Sequence, residues 1–391
     1  AVPIYVDHLI IGGGLMGSAT AWQLAKQGHT VTLLERFTPG HTQGASHGTS
    51  RIYRNTYPVP EYLDLAAEAL TLWRELERET GTDLLAMTGG ISSGGDALDA
   101  QAASLVERAI PAQILPNPDA RARFPWFSFG DRVLVEPQTA GRLHADRAVA
   151  ALKSAATKSG ATVVHNIRVL AIEVGTAGVQ VRTDQGDFAA GSVLLAVGAW
   201  TTTLAGSITG LSDAQAARLT PLNRLVVTQE QPAHFRVHPE YAENLAAFPS
   251  FTHDPGPEHV GPGKRWPSGA YGLLSVDEPG GPVVKVGFHG VGPVADPDRR
   301  TIAADPAQLD QLIDYVRTHI PALDPDTADP LSCTYTTTLD HDFILDRAGR
   351  VVVAAGFSGH GLWFGPALGR VLAALLTEAR TAPESSSSAS G

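Results

Sequence analysis

The sequence contains very little cysteine, since Cys333 is the only one among 391 residues. A single thiol excludes an intrachain disulfide framework and favours a reducing compartment, so we expect a cytoplasmic protein. The sequence also lacks the run of roughly 20 apolar residues that a membrane-spanning helix requires. Basic residues are scarce, because 29 lysines and arginines face 40 aspartates and glutamates. The formal charge of −11 argues against nucleic acid or an anionic membrane surface as the main partner.

Several catalytic and metal-binding signatures are missing as well. The sequence has no CxxC and no HExxH motif, and its histidines lack metal-ligand spacing, so we expect no metal. The segment GASHG, around Ser46, fits the G-x-S-x-G pattern of hydrolases. A nucleophile elbow needs a strand before the serine and a helix after it. Because the Pro/Gly loop RFTPGHTQ precedes GASHG, we reject a Ser46 hydrolase.

The amino-terminal region has the pattern of a strand, a helix and a second strand. Residues 4–11, IYVDHLII, are mostly apolar and predict a buried parallel strand. The segment GGGLMGSATAWQLAKQG follows and predicts a turn and a helix ending at Gly28. The segment TVTLLE then predicts the next strand. Together these segments indicate one βαβ unit.

A glycine fingerprint lies at the turn of this unit. Gly12, Gly14 and Gly17 match G-x-G-x-x-G, and Glu35 stands at the end of the second strand. Gly12 permits the tight turn, Gly14 lets the backbone approach a pyrophosphate, and Gly17 allows close helix–strand packing. The Glu35 carboxylate can accept hydrogen bonds from a ribose and would repel a 2′-phosphate. The pattern predicts dinucleotide binding, but it does not distinguish NAD from FAD.

The rest of the chain indicates a second kind of domain. Residues 61–80 carry a helical stripe, composed of Tyr62, Leu65, Ala69, Leu72, Trp73 and Leu76. Residues 162–198 predict a small meander that leads into a buried strand. Residues 221–295 alternate strand-like pieces with Pro/Gly loops and predict a largely antiparallel sheet. The last apolar unit, VVVAAG, precedes another helix, so dinucleotide-type units stand at both ends of an α/β chain.

Five further segments carry a resemblance to a known family: SHGTSRIYR, AVGAW, KVGFH, CTYTTTLDHDF and GFSGHG. With the glycine fingerprint, they make the chain resemble the monomeric sarcosine oxidase and N-methyltryptophan oxidase family. This family belongs to the D-amino-acid-oxidase-like FAD amine oxidases. The resemblance runs from end to end, and its specific part is C-x-Y-T-x-T-L-D followed by G-F-S-G-H-G. It implies an FAD cofactor and an active site between two domains.

The fold implied by the resemblance is a Rossmann-like FAD-binding domain with an inserted, mainly antiparallel β-sheet substrate domain. We expect the FAD-binding domain to comprise residues 1–88, 148–220 and 326–382. The substrate domain is expected to comprise residues 89–147 and 221–325. Residues 383–391, which are rich in serine, are expected to form a disordered tail.

Cys333 matches the cysteine that is bonded through sulfur to the 8-methyl carbon of the flavin in this family. The chemistry is reasonable, because a thiolate is a competent nucleophile. A thioether should also raise the flavin's potential and make it a better hydride acceptor. The alternative is a buried, inert cysteine that packs as a small hydrophobe.

The segment SHGTSRIYR resembles the family segment that lies over one face of the flavin. His47 and Arg51 match flavin-facing residues, and Ser50 stands where relatives have threonine. Arg54 matches the arginine that grips the substrate carboxylate, a task suited to a planar bidentate donor. The alternative for these arginines is a solvated loop or an ion pair. The other cofactor contacts implied by the resemblance are Arg36, Ser46, Gly359, His360 and Gly361.

Lys285 matches the family lysine on the opposite flavin face, which is thought to activate oxygen. A cation in a dry site stabilises the negative charge that oxygen acquires. Alternatively, Lys285 is a strand-edge gatekeeper or a snorkelling side chain. His289 lies four residues further, which on a strand gives the same face, and it matches an active-site histidine. Tyr271 and Tyr335 match aromatic residues lining the substrate cavity, although ordinary packing would also explain them.

Trp363 is the main departure from the family pattern. Relatives usually have a lysine there, which holds the substrate carboxylate together with the arginine that matches Arg54. The substitution predicts that sarcosine is a poor substrate and that a bulkier or more apolar amine is better. The alternative is that Trp363 points into the core and another lysine, such as Lys264, takes over.

The function implied is oxidation of a secondary, N-methylated amine or amino acid by hydride transfer to the flavin. The imine product hydrolyses to an amine and an aldehyde, and O2 reoxidises the flavin with release of hydrogen peroxide. The partners are then a small amine and O2, and we expect a monomer. Two alternatives remain open: a dehydrogenase that uses an electron carrier, and a flavin-binding protein without turnover. Lys285 weighs against the dehydrogenase, and Arg51, Lys285 and Cys333 together weigh against a protein without turnover.

Overall fold

The computed structural model describes residues 3–57 and 59–381, so the expected tail, 383–391, lies outside the described residues. The strands are β1 (Ile4–Ile11), β2 (Val31–Leu34), β3 (Arg51–Tyr53), β4 (Leu85–Ala86), β5 (Gly90–Gly94), β6 (Gln113–Leu115), β7 (Val133–Glu136), β8 (Gly141–Leu143), β9 (Thr162–Val164), β10 (Val169–Val174), β11 (Val179–Thr183), β12 (Gly186–Leu195), β13 (Ile208–Thr209), β14 (Val226–Glu230), β15 (Ala233–Val237), β16 (Ser250–Asp254), β17 (Ala270–Ser275), β18 (Val283–Phe288), β19 (Leu323–Pro330), β20 (Cys333–Thr337), β21 (Ile344–Ala348) and β22 (Val351–Ala355). The helices are α1 (Leu15–Lys26), α2 (Pro60–Thr80), α3 (Leu98–Glu107), α4 (Asn117–Arg123), α5 (Ala145–Lys158), α6 (Thr201–Ala205), α7 (Asp213–Leu219), α8 (Pro306–His319) and α9 (Gly365–Thr381).

The chain forms two compact units. Unit 1 comprises the described parts of residues 1–46, 149–226 and 336–391. Unit 2 comprises the described parts of residues 47–148 and 227–335.

Unit 1 is built on a parallel sheet. Strand β1 pairs in parallel with β2 on one side and with β12 on the other, and β9 and β22 extend this arrangement. The end of β1 is buried on both faces, which explains why its last residues, 9–11, are all apolar. Helices α1 and α9 pack closely, because a Cβ at Gly369 would lie 2.7 Å from the Ala19 carbonyl carbon. The predicted βαβ unit is therefore confirmed, and its helix is packed by the last helix of the chain.

The predicted meander is also present in unit 1. Strands β10, β11 and β12 pair in antiparallel order, and β12 then joins the parallel strands next to β1. The inner faces of these strands contribute to one apolar core with β1 and β22. The meander thus leads into a buried strand, as its sequence predicts.

Unit 2 contains a mainly antiparallel sheet in the order β19–β15–β18–β17–β16–β5–β7–β6. Only the β16–β5 pair of this order is parallel among the described residues. One face of the sheet packs against α8 through an aromatic core that includes Phe251, Trp266 and Tyr315. Alternate side chains of β15, β17 and β18 therefore point to the opposite face. The predicted α/β class, with a largely antiparallel second sheet, is confirmed.

Helix α2 shows where a periodic pattern misleads. The predicted helix is confirmed, with Pro60 at its first turn and Gly81, at φ +65°, as its C-cap. Its buried face is Leu63, Ala66, Ala69, Trp73 and Leu76. Three members of the predicted stripe, Tyr62, Leu65 and Leu72, are only partly buried. Leu63 and Ala66, which the predicted stripe omits, are buried instead.

Among residues 3–57 and 59–381, we find no helix whose length and apolar character would let it span a bilayer.

Candidate active site

The glycine turn of unit 1 has the geometry that a bound dinucleotide requires. Gly12 adopts φ +106°, and a Cβ there would lie 2.0 Å from the carbonyl oxygen of Ala196. A Cβ at Gly17 would lie 1.9 Å from the carbonyl oxygen of Gly12, so α1 approaches the turn too closely for a side chain. Gly14 has no such backbone crowding, since the heavy atoms near its Cβ position belong to Ser46. The turn therefore leaves the backbone at Gly14 accessible, next to the N-terminus of α1.

Ser46 closes one side of this turn. Its Oγ accepts a hydrogen bond from the backbone N–H of Leu15 at 3.1 Å. Ser46 lies in a bend without a preceding strand or a following helix, which agrees with the rejection of a hydrolase elbow. Its position fits a role beside the cofactor.

Glu35 lies directly beneath the turn. One carboxylate oxygen accepts from Gly13 N at 2.8 Å and the other accepts from Phe37 N at 2.9 Å. Burial works against its ionisation, but hydrogen bonds from His41, Phe37 and Gly13 lower the pKa of Glu35 overall. Oε2 keeps a further lone pair for a ribose hydroxyl, whereas Oε1 is also approached by His41 Nε2 at 3.5 Å. The residues of unit 1 therefore fit an adenine dinucleotide without a 2′-phosphate.

Arg36 follows Glu35 and contacts two aromatic rings. Its guanidinium carbon lies 5.0 Å from the ring centre of Phe37 and 5.8 Å from that of Trp200. The rings of Phe37 and Trp200 are also in contact, with centres 5.4 Å apart, so the three side chains form one cluster after β2.

The segment GFSGHG forms a tight loop between β22 and α9. Gly356, Ser358 and Gly359 all have positive φ, and Ser358 donates from its backbone N–H to Thr336 O at 3.0 Å. A Cβ at Gly361 would lie 2.6 Å from the ring of Phe357. His360 contacts the carbonyl oxygen of His341 through Nε2 at 2.9 Å. The loop is thus held by contacts to Thr336 and His341, and it precedes the short turn that leads into α9.

Trp363 lies in a short 3₁₀ turn, Leu362–Phe364, just before α9. It is 6% exposed, and its ring centre lies 5.1 Å from that of Phe364. Lys264, the suggested substitute cation, is exposed on unit 2.

Two cations meet at one carbonyl group in unit 2. The backbone oxygen of Ser50 accepts from Lys285 Nζ at 2.6 Å and from Arg51 Nη1 at 2.9 Å. Lys285 belongs to β18 and is 6% exposed, so neither alternative for it, a strand-edge gatekeeper or a snorkelling chain, describes its position. The sequence predicts both cations, but it gives no sign that they share an acceptor.

Residues 48–50 are each held by hydrogen bonds. Gly48 N donates to Asp146 Oδ1 at 2.9 Å, and Gly48 O accepts from Asp146 N at 3.0 Å. Thr49 Oγ1 donates to Glu278 Oε1 at 2.5 Å, and Ser50 Oγ lies 2.5 Å from Ser275 Oγ. Gly48 itself has φ +103°. These contacts hold the Ser50 carbonyl rigidly in place.

The buried position of Lys285 shifts its pKa strongly. Burial lowers the pKa of Lys285 well below its ordinary value, and the neighbouring Arg51 adds to this effect. The charges of Cys333 and Glu278 act in the opposite direction. Strongly shifted pKa values in a group of this kind are typical of functional sites.

Cys333, Tyr335 and Tyr271 lie close to the two cations. Cys333 and Tyr335 are on β20 with the buried Thr334 between them, so they share a strand face as predicted. Burial raises the pKa of Tyr271, with a further contribution from Cys333, and a hydrogen bond links Tyr271 to Tyr335. Burial likewise raises the pKa of Tyr335. Both phenols are therefore neutral and can act as hydrogen-bond donors.

The ring of Tyr271 lies over a glycine on the adjacent strand. Tyr271 and Gly287 are direct cross-strand partners, and a Cβ at Gly287 would lie 2.9 Å from the tyrosine ring. His289 follows the end of β18 and is exposed, with Nδ1 at 3.4 Å from Tyr335 Oη. The structure thus brings His289 to Tyr335.

Arg54 lies at a small polar cavity within unit 2. Its Nη1 lies 3.3 Å from Thr56 Oγ1 and 3.4 Å from Thr252 Oγ1. The cavity is lined by Ile52, Arg54, Thr56, Gly90, Ile91, Ser92, Glu136, Ser250, Phe251 and Thr252. Arg54 is therefore not in a solvated loop, and the cavity places the carboxylate of Glu136 near it, as the alternative of an ion pair with a nearby acid requires.

Three carboxylates of unit 2, two of them buried and one partly exposed, were not predicted from the sequence. Glu136 is 1% exposed, lines the Arg54 cavity and accepts two hydrogen bonds from Asn55. Glu230, also 1% exposed, accepts from Thr228 and from the backbone of Gly292. Glu278 accepts a hydrogen bond from Thr49. No sequence motif surrounds these three glutamates, so their contacts become visible only in the folded chain.

The predicted site residues thus form two groups. The glycine turn, Glu35, Arg36, Ser46, the GFSGHG loop and Trp363 belong to unit 1, whereas Arg51, Arg54, Tyr271, Lys285, His289, Cys333 and Tyr335 belong to unit 2 with His47 and Ser50. In the part of the chain that the structure describes, no cluster of three or more His, Cys, Asp or Glu side chains is arranged to hold a metal.

Unit 1 has a dinucleotide-type turn, and unit 2 has a mainly antiparallel sheet that carries a buried lysine. This combination indicates a flavin oxidoreductase. The family described as FAD dependent oxidoreductase matches residues 7–375, and the chain belongs to this family. The predicted family and FAD as its cofactor are therefore confirmed.

Individual relatives cover nearly the whole chain. The peroxisomal sarcosine oxidase of Mus musculus is 33% identical, over 94% of this chain and 90% of the relative. The monomeric sarcosine oxidase of Bacillus sp. (strain B-0618) is 30% identical, over 96% and 93%. The solved structure of NikD, an unusual amino acid oxidase essential for nikkomycin biosynthesis, is similar with a TM-score of 0.77 and 26% identity, over 97% and 98%. The chain is an FAD-dependent oxidoreductase of the sarcosine oxidase type.

Proposed function

We propose that this protein oxidises a secondary, N-methylated amine and transfers the electrons to O2, releasing hydrogen peroxide. The observation that supports it most is the pair of cations, Lys285 and Arg51, at the buried Ser50 carbonyl. Similarity to sarcosine oxidases along nearly the whole chain supports the amine as substrate. Burial of the Lys285 side chain costs free energy, and the neighbouring Arg51 adds to that cost, so the pair is more consistent with a functional role than with a purely structural one.

The residues of the chain divide the work between them. Bound FAD would supply the hydride acceptor and the path of the two electrons to O2. The glycine turn and Glu35 would hold its dinucleotide part, and the N–H groups of the GFSGHG loop suit an anionic edge of the ring. Lys285 and Arg51 would stabilise negative charge that develops on oxygen in a dry environment. The neutral phenols of Tyr271 and Tyr335 would orient the substrate without competing for its proton.

The remaining functional assignments are part of the same proposal. Arg54 would bind a substrate carboxylate, and His47, Ser50 and His289 would line the reaction site. Cys333 would hold the flavin covalently. We further propose a cytoplasmic monomer, which the single cysteine and the monomeric relatives support. Gel filtration with light scattering and cell fractionation test these two points.

A cofactor-bleaching experiment tests the reaction. Under nitrogen, a panel of N-methyl amines and amino acids is expected to bleach the yellow protein. Admitting air should restore the colour with one hydrogen peroxide per flavin. Restoration only by an added electron carrier would favour a dehydrogenase. Absence of bleaching with every amine of the panel would favour a flavin-binding protein without turnover.

Trp363 provides a prediction about the substrate. The wild type is expected to oxidise bulky or apolar N-methyl amines better than sarcosine, because a second cation for the carboxylate is missing. One charge-assisted contact is worth about 1.5–3 kcal/mol, which is roughly 10- to 100-fold in affinity. Trp363→Lys should therefore lower the KM for sarcosine by about this factor, measured by peroxide release.

Two further variants make the substrate test specific. Trp363→Phe keeps an aromatic ring and should leave the sarcosine KM high. Lys264→Ala should change nothing, unless this exposed lysine replaces the missing cation. Efficient sarcosine oxidation by the wild type, together with no gain in Trp363→Lys, would show that Trp363 is a core residue without influence on specificity.

A further inference from the structure

Glu278 contacts both the Thr49–Ser50 segment and strand β15 of unit 2. It lies just after β17, and its side chain is 20% exposed. One carboxylate oxygen accepts from Thr49 Oγ1 at 2.5 Å and lies 4.0 Å from His234 Nε2. The Glu278 carboxylate can therefore influence a group that interacts with both Thr49–Ser50 and His234.

Both contacts of Glu278 lead to Lys285. His234 is the direct cross-strand partner of Lys285 in the β15–β18 pair, so the two side chains lie on one face of the sheet. Thr49 precedes Ser50, whose carbonyl oxygen accepts from Lys285 Nζ. Glu278 is therefore linked to Lys285 once through a side chain and once through the backbone.

The charges that face Lys285 come from several elements. Arg51 on β3 is positive and Glu278 supplies negative charge, while Cys333 on β20 faces the same group and is uncharged once its sulfur is bonded to the flavin. His234 interacts with both Lys285 and Glu278, and it also faces Asp329 of β19, its other cross-strand partner. Of these groups, Glu278 is the carboxylate that both acts on Lys285 and fixes the segment that binds it.

We propose that Glu278 is a positioning residue that keeps Lys285 protonated and in place, acting through His234 and the Thr49–Ser50 segment. The inference rests on the proposed role of Lys285 in oxygen reduction. Burial and Arg51 lower the pKa of Lys285, and Glu278 opposes this effect. Removing the charge of Glu278 therefore lowers the pKa of Lys285 further, so that the ammonium loses its proton at a lower pH.

Glu278→Gln tests the charge with little change of shape, because a glutamine oxygen can still accept from Thr49. The chain has five lysines, Lys26, Lys153, Lys158, Lys264 and Lys285, so lysine side-chain NMR of the labelled holoenzyme gives few signals. The signal absent from Lys285→Met identifies Lys285. Its titration midpoint is expected to fall by about one pH unit in Glu278→Gln, which is a tenfold change in the protonation equilibrium.

The pH dependence of reoxidation is expected to shift in the same direction as the Lys285 midpoint. Reoxidation of the reduced enzyme by O2 should lose its rate at a pH about one unit lower in Glu278→Gln than in wild type. Reduction by the amine should be unchanged. Glu258→Gln, which removes an exposed carboxylate of the same unit, serves as the matched control and should shift neither readout. Glu278→Asp, which retains the charge, should keep the wild-type midpoint and also guards against loss of folding.

The outcomes separate this inference from the proposed function. An unchanged Lys285 midpoint in Glu278→Gln overturns the inference, even if Lys285→Met abolishes fast reoxidation. A lowered midpoint combined with normal reoxidation in Lys285→Met supports the coupling of Glu278 to Lys285 and refutes the oxygen role of Lys285. A midpoint that falls equally in Glu278→Gln and Glu278→Asp shows that geometry, and not charge, is what Glu278 provides, and overturns the protonation argument.

Discussion

Lys285→Met is expected to slow reoxidation by O2 about 10²–10³-fold, a factor comparable to the removal of one charge-stabilising donor from a preorganised site. The physical reason is the location of the ammonium group. Lys285 Nζ is fixed at 2.6 Å from Ser50 O and is buried, so its field is not screened by water. Negative charge appears on oxygen only during reoxidation. Hydride transfer from a neutral amine makes no comparable demand on this cation.

Separate measurement of the two half-reactions checks this prediction. Stopped-flow reduction by the amine under nitrogen should change by less than about tenfold, whereas reoxidation in oxygenated buffer carries the main effect. Lys264→Met removes an exposed lysine of the same unit and should affect neither step. Equal slowing of both half-reactions would mean that Lys285 supports the flavin environment in general and has no oxygen-specific role.

The features predicted correctly from the sequence are local. The turn at Gly12, Gly14 and Gly17 depends on backbone conformation and on the packing of adjacent elements, which neighbouring residues encode. The shared face of Cys333 and Tyr335 follows from the two-residue period of a strand. Gly287 also carried a local signal, since a glycine inside a strand marks a close approach, here of the Tyr271 ring.

The contacts that define the chemistry of unit 2 are not local. Thr49 and Glu278 are 229 residues apart, and Ser50 and Lys285 are 235 residues apart. Neither separation leaves a pattern along the sequence, so the shared carbonyl and the role of Glu278 emerge only from the folded chain. The strand period also has limits: β18 ends at Phe288, and alternation therefore does not fix the direction of His289.

Helix α2 illustrates a different limit. Its apolar residues outnumber the positions on one face, so the period alone permits two nearby stripes. The structure buries Leu63 and Ala66 and leaves Leu65 and Leu72 partly exposed, while Ala69, Trp73 and Leu76 belong to both stripes. The period alone therefore does not choose between them, because the buried face of a helix is fixed by its tertiary packing.

The other large effect is expected at Cys333. After denaturation in acid, the wild-type polypeptide should remain yellow and exceed the mass of the bare chain by that of one FAD. Cys333→Ala should release all of its flavin under the same treatment. The position supports this expectation, since Cys333 is partly exposed at the start of β20 and shares a face with Tyr335. Cys333 also lies within electrostatic reach of Lys285.

Because Cys333 is the only cysteine, a thiol assay of the denatured protein gives an independent reading. The yellow wild-type protein should show no titratable thiol, and flavin-free protein should show one. Cys333→Ala should still bind FAD before denaturation, because the glycine turn and Glu35 in unit 1 do not depend on the thioether. One free thiol per chain, with all flavin in the acid supernatant of the wild type, would show that Cys333 is not linked. Noncovalent FAD held by unit 1 would then be sufficient, and Cys333 would be a packing residue beside Tyr335.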